Sequence, residues 1–151
     1  MEIRYLKKLQ QAPVIEGISE ERINKLEKEI SRRFPQAYRE FLFLIGKYSC
    51  FNTNGDYWRF NKLVDIQNKV EEQLSEENFK MEKDFWVFVF FNNGDYSLYF
   101  HWDEGEDPAV YGITNFDDDN ITIEKVSNSF SKYVNDILYL KSRILEKIDS
   151  L

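Results

Sequence analysis

The stretch FWVFVFFNNGDYSLYFHW, residues 85–102, constrains this chain more than any other part of it. Two runs rich in aromatic and β-branched residues flank Asn93-Gly94, the pair that best tolerates positive φ at both central positions of a type I′ turn. That turn pairs Phe91 with Tyr96, Val89 with Leu98, Val87 with Phe100 and Phe85 with Trp102, all on one face. The other face sets Phe90, Phe88 and Trp86 against Ser97, Tyr99 and His101. The first run is apolar on both sides, which predicts a central strand covered above and below. Most of the rings are therefore expected in the core of a sheet.

Helical patterns precede the hairpin. Ile3, Leu6 and Leu9 fall at helical spacing. Ser19 reads as an N-cap, with Glu20 and Glu21 where the helix dipole favours negative charge. Ile18 and Ile23 fit a hydrophobic staple, and Ile23, Leu26 and Ile30 form one apolar face. A second helix is expected to begin at Pro35, to bury Tyr38, Phe41, Leu42 and Ile45, and to stop at Gly46. Asn54-Gly55 is a second turn signal, and a charged helix is expected over Val64 to Leu74. After the hairpin, strands are expected at Ala109 to Ile113 and at Ile121 to Val126, the latter at an edge. A long last helix, capped by Ser127 or Ser129, presents Phe130, Tyr133, Val134, Ile137, Leu138, Leu145 and Ile148. The order predicts one α+β domain over residues 1–151: a mainly antiparallel sheet of about four to six strands, with N-terminal helices and a long C-terminal helix packed on it.

The 151 residues are enough to bury a core. No apolar run approaches the roughly 20 residues of a membrane span. The opening MEIRYLKKLQQ has no apolar signal region, and Cys50 is the one cysteine, so a reduced, cytoplasmic setting is expected. The formal charge is −7, unevenly spread: residues 1–50 hold ten Lys/Arg against seven Asp/Glu, while His101 to Glu124 holds eight acids and no Lys or Arg. Such a balance argues against direct binding of nucleic acid, whose phosphates need Lys and Arg, and suits a basic protein partner. The bland alternative is acid that keeps the surface solvated.

Catalytic and metal motifs are sparse. His101 is the one histidine and is expected half-buried on its strand, with no oriented base–nucleophile pair beside Cys50. A zinc site lacks His and Cys ligands. Asp117-Asp118-Asp119-Asn120 resembles a calcium loop in composition, but the spacing needs an oxygen ligand at Ile121 and glycine at Thr122, and both fail. No Gly-rich phosphate loop occurs. No cofactor is expected.

Three stretches, in this order and spacing, resemble the SUKH superfamily, which includes fungal cell-wall synthesis regulators and many bacterial immunity proteins. They are ISEERINKLEKEISRRFPQAYREFLFLIGKYS, with its central proline and Tyr-x-x-Phe-Leu; the aromatic hairpin; and DPAVYGI, followed by a strand and SFSKYVNDIL. The resemblance runs from Ile18 to Leu138. It implies a non-enzymatic binding protein, with a cognate bacterial toxin domain as partner. The expected partner surface is the acidic loops, Asp103, Glu104, Glu106 and Asp107 with Asp117, Asp118 and Asp119, beside the rings of Trp102, Tyr111, Tyr57 and Trp58. Against a basic nuclease toxin, such acid would occupy a cleft meant for phosphate. A regulatory scaffold of the same fold and a carboxylate-dependent hydrolase stay open as alternatives. A monomer, or a weak homodimer through the edge at Ile121 to Val126, is expected.

Overall fold

Ser19 opens the first well-capped helix. Its Oγ accepts the Arg22 N–H at 3.3 Å, and Glu20 and Glu21 occupy the first turn of α2 (Glu20–Ile30). Ile18 and Ile23 are both buried in the same cluster, as a staple requires. The computed structural model describes residues 1–12, 16–46, 60–115 and 120–150, without the side chains of 140–145 and 148. The expected turn at Asn54-Gly55 and the side chains of Leu145 and Ile148 lie outside the described residues. A one-turn helix, α1 (Lys7–Gln10), precedes α2.

Pro35 stands just ahead of its helix, as the N-cap residue of α3 (Gln36–Ile45), and not inside the first turn. Gly46 does end α3, but with φ −65°, not in a left-handed turn. Its reason is space: a Cβ there would come 2.6 Å from the Leu42 carbonyl oxygen and 2.9 Å from Ile18 Cγ1. A 3₁₀ turn, Phe60–Lys62, leads into α4 (Leu63–Glu76), which buries Leu63, Ile66, Val70 and Leu74 at helical spacing.

Four strands follow: β1 (Phe85–Phe91), β2 (Tyr96–His101), β3 (Val110–Thr114) and β4 (Thr122–Ser127). They lie in the order β1-β2-β3-β4, each antiparallel to the next, so the sheet is a simple meander. The chain closes with α5 (Phe130–Asp149). Ser129 caps α5 by accepting the Lys132 N–H at 3.2 Å, while Ser127 Oγ donates to the Ser129 carbonyl. The protein is an α+β fold with helices packed on an antiparallel sheet.

The hairpin turns at Asn93 (φ 57°, ψ 27°) and Gly94 (φ 100°), with the Asp95 N–H donating to the Asn92 carbonyl at 3.3 Å. Phe91 pairs with Tyr96 and Val89 with Leu98, as the turn dictates. Beyond them the expected register fails. A β-bulge between Val87 and Val89 sets Val87 against Tyr99, Trp86 against Phe100 and Phe85 against His101. The extra residue lets Phe88 and Val89 enter one cluster together, while Phe90 crosses to the opposite face. A run apolar on both sides cannot signal such a slip.

β1 is also not central: among the described residues it ends the strand order. Both its faces are nonetheless covered. On one side Trp86, Phe88 and Val89 join Phe34, Tyr38, Phe41, Phe100 and Phe130. The rings meet mostly edge to face, with centroids 5.1 Å apart for Phe88–Phe130 and 5.6 Å for Tyr38–Phe130. On the other side Val87 and Phe90 pack with Ile66, Val70, Leu74, Tyr99 and Ile113. The outer edge of β1 is met by a side chain. Gln67 of α4 accepts the Val87 N–H at 2.8 Å and donates to the Val87 carbonyl at 2.7 Å, as a neighbouring strand would.

Two charged residues of α3 are buried and hydrogen-bonded. Glu40, fully buried, accepts the N–H groups of Arg4, Tyr5 and Leu6 at 2.9, 2.8 and 3.1 Å through one oxygen. Arg39 contacts Glu27 at 3.2 Å and Asn24 at 2.5 Å, and Glu27 accepts the Phe34 N–H at 2.6 Å. Replacing Glu40 by Ala strands those N–H groups and is expected to cost about 2–4 kcal/mol. Urea unfolding measures it, and a loss below about 0.5 kcal/mol would contradict the clasp.

Candidate functional site

The loop between β2 and β3 carries four of the acids singled out by sequence, and the fold divides them in two. Pro35 has no side-chain acceptor for the first turn of α3. Glu106 supplies one from across the molecule: its carboxylate accepts the Gln36 N–H at 3.0 Å and its carbonyl accepts the Ala37 N–H at 2.9 Å. Arg33 lies 3.1 Å from both carboxylate oxygens. Asp107 does the same for α5, accepting the Ser131 N–H at 2.8 Å and the Ser131 hydroxyl at 2.5 Å. One short loop thus caps two helices, each at the end where the dipole favours a carboxylate.

Asp103 and Glu104 are different. Asp103 is exposed and meets Lys83 at 3.4 Å, a surface pair of little energetic weight. Glu104 accepts the Tyr111 hydroxyl at 3.0 and 2.9 Å. Tyr111 in turn stacks on Tyr99 (5.4 Å, 21°) and lies 5.0 Å from the His101 ring. His101 Nδ1 sits 3.3 Å from the Asp84 carbonyl. The result is a half-exposed group of two rings and two carboxylates on the α4 side of the sheet.

Trp102 faces the other way. It stacks on Phe34 (5.5 Å, 15°), with the Arg32 guanidinium 4.7 Å from its ring centre. The fold therefore brings Asp103, Glu104 and Tyr111 together and sets Trp102 apart. The next loop joins β3 to β4 at the other end of the sheet. Thr114 pairs with Thr122 beside Tyr96, at the end of the sheet opposite to the 102–109 loop. Asp117, Asp118 and Asp119, with Tyr57 and Trp58, lie outside the described residues.

Sequence reasoning missed Glu40, Glu27 and Gln67. Glu40 carried a signal, a charge one residue before Phe41 on the apolar face of α3. Gln67 carried none, because nothing in sequence marks β1 as an edge.

Burial pushes the Tyr99 hydroxyl up to about 12, with Tyr111 and Glu104 adding to the effect. Tyr111 is raised too, by burial first and then by its bond to Glu104 and by the charges of Glu104 and Asp103. Tyr38, fully buried, is raised by burial, against a smaller opposing bond from Trp86.

A family model described as the SMI1 / KNR4 family (SUKH-1) matches residues 17–136, well over half of the chain. The match takes in α2 to the first third of α5 and the whole 102–109 loop. Comparison with curated proteins gives no match.

Replacing Glu106 or Asp107 by Ala should each cost about 0.5–2 kcal/mol in denaturant unfolding, as lost helix caps do. Asp103→Ala should leave the midpoint unchanged, and equal losses at all three positions would refute the division. The tyrosines give a second expectation. Above the ordinary value of 10.0 the unfolded chain releases protons that the fold retains, so stability is full below that value. It is lost as pH rises through the folded value near 12, and the buried hydroxyls should ionise above the ordinary tyrosine range. Tyrosinate absorbance of the folded protein that is complete within the ordinary range of about 10 would contradict this.

Proposed function

Because this chain belongs to the SMI1 / KNR4 family (SUKH-1), we propose that it is a protein-binding module, and specifically an immunity protein that neutralises a cognate toxin domain by direct contact. The family is generally non-catalytic, and this reading assigns no reaction to the chain. The observation that carries it is the group of Asp103, Glu104, Tyr111 and His101. Its two carboxylates cap no helix and lie beside half-exposed rings, Asp103 exposed with Lys83 at 3.4 Å and Glu104 half-buried on the Tyr111 hydroxyl. Rings among charges are the usual composition of an interface hot spot.

Charge supports a basic partner. The segment from His101 to Glu124 holds eight of the acids and no Lys or Arg, in a chain of net charge −7. Such a field speeds the encounter with a basic surface and suits a nuclease toxin, whose phosphate cleft is basic. Tyr57, Trp58 and Asp117 to Asp119 are proposed as further partner contacts, separate from the Asp103–Glu104 group, on the strength of sequence alone. No helix among the described residues is long and apolar enough to cross a membrane. A cytoplasmic site of action is part of the proposal.

The first test is genomic. An adjacent reading frame ending in a compact basic domain, whose toxicity is rescued by co-expression, is the expected outcome. A partner unrelated to any neighbouring gene would favour a regulatory scaffold. The second test is kinetic. Replacing Asp103 and Glu104 together by Ser, which leaves both helix caps intact, should slow association with that domain and flatten its salt dependence. An on-rate unchanged at low salt would remove this patch from the interface.

A further inference from the structure

A second acidic site lies at the other end of the sheet. Between the C-terminal half of α4 and the hairpin turn is an open cleft of about 420 Å³, a size typical of small-ligand pockets. Glu72, Glu76 and Glu77 line it, at the carbonyl end of α4, where the helix dipole also favours positive charge. Gln73 and Asn115 line it as well, and each keeps a buried side-chain oxygen with no hydrogen-bond donor. The Gln73 nitrogen is committed to the Gly94 carbonyl at 2.7 Å, which fixes its oxygen as an acceptor in want of a donor. Phe90 supplies a ring, and Lys69, which also lines the cleft, holds its Nζ 5.9 Å from the centre of that ring and 3.3 Å from Asp65, which answers its charge.

These features select a ligand class. Apart from Lys69, which is paired with Asp65, the polar lining is three carboxylates and side-chain amides, two of them with an unpaired oxygen, so the ligand is a donor. Carboxylates and the dipole make it a cation. Among the described residues no three His, Cys, Asp or Glu converge as metal ligands, so the negative charge is spread along the cleft instead of gathered on a point. A flat, extended cation with several N–H donors and an affinity for ring faces fits that spread, and among side chains this is the guanidinium. We propose that this cleft receives an arginine side chain of a protein partner. The inference rests on the binding-module reading, and it places a second contact about a strand's length from the Asp103–Glu104 patch.

The test is a titration of the isotope-labelled full chain with a short arginine peptide, followed by NMR. Parallel arms use the same peptide with citrulline, which is isosteric but neutral, and free spermidine. The expected result is saturable shifts at the Gln73 and Asn115 side-chain amides and along residues 72–77. Affinity should fall about tenfold or more for the citrulline peptide and in the Glu72→Gln/Glu76→Gln variant. Both glutamates are exposed, so this variant should keep the wild-type thermal midpoint. No saturable shift, an equal response to citrulline, or unaltered binding by the variant would overturn the site. Tighter binding of spermidine than of the arginine peptide would overturn the protein side chain as its occupant. The titration needs no toxin. Absence of a cognate toxin would remove the immunity reading and leave this result standing, and a silent cleft in a chain that still binds its toxin would remove the cleft alone.

Discussion

α3 is buried on nearly every side, and much of the fold follows from what that burial demands. Eight of its ten residues are buried, Arg39 and Glu40 among them. A helix so enclosed cannot leave its polar groups to water, and each must find a partner inside the protein. Glu40 finds three backbone N–H groups in the N-terminal segment, which fixes that segment against the domain. Arg39 finds Glu27 and Asn24, which fixes α2. The first turn finds Glu106, which fixes the loop after β2. Tyr38 accepts the Trp86 indole N–H at 3.2 Å, which fixes the sheet. Four elements distant in sequence are thus located by the polar requirements of one helix, while the aromatic cluster supplies the apolar burial around it.

The same requirement explains the acidic loop. A helix that begins at proline has no local cap, and a carboxylate from elsewhere is a sound substitute because it matches both the orphan N–H groups and the dipole. Two of the four acids serve this purpose, so the density of charge in the sequence overstates what is offered to a partner. What remains is small and well defined: Asp103 and Glu104, with Tyr111 oriented by its bond to Glu104 and by stacking on Tyr99.

Local signals were legible where the chain answers to its own neighbours. The Ser19 cap, the Asn93-Gly94 turn, the presence of a charged helix at α4 and the α+β order all follow from spacing and residue type. The bulge at Val87–Val89 was not legible, because alternation carries no information in a run that is apolar on both sides. The placement of β1 failed for the same cause: covered faces and a central position look alike in sequence, and it is Gln67, a residue of another element, that meets the edge. The family resemblance was visible in the order of core positions, and core positions say little about surfaces. The split of the acids could not be read, since Glu106 and Asp107 differ from Asp103 and Glu104 only in what lies opposite them after folding.

The two candidate contacts are separated by the length of the sheet, and that distance governs how they can act together. Strands of five to seven residues span roughly 17–24 Å at about 3.4 Å per residue. This exceeds the Debye length of about 8 Å at physiological ionic strength, so neither acidic group perturbs a charge bound at the other. Any cooperation between them must come from a partner rigid and long enough to reach both, through effective concentration and not through the field. The net charge of −7 then serves the approach, and the geometry of each end serves the choice of partner. A partner that meets only the Asp103–Glu104 end gains speed of encounter and little selectivity, since exposed carboxylates on a loop accept almost any base. The cleft beside α4 asks for more, a flat donor of the right length, and discrimination among basic partners is better placed there.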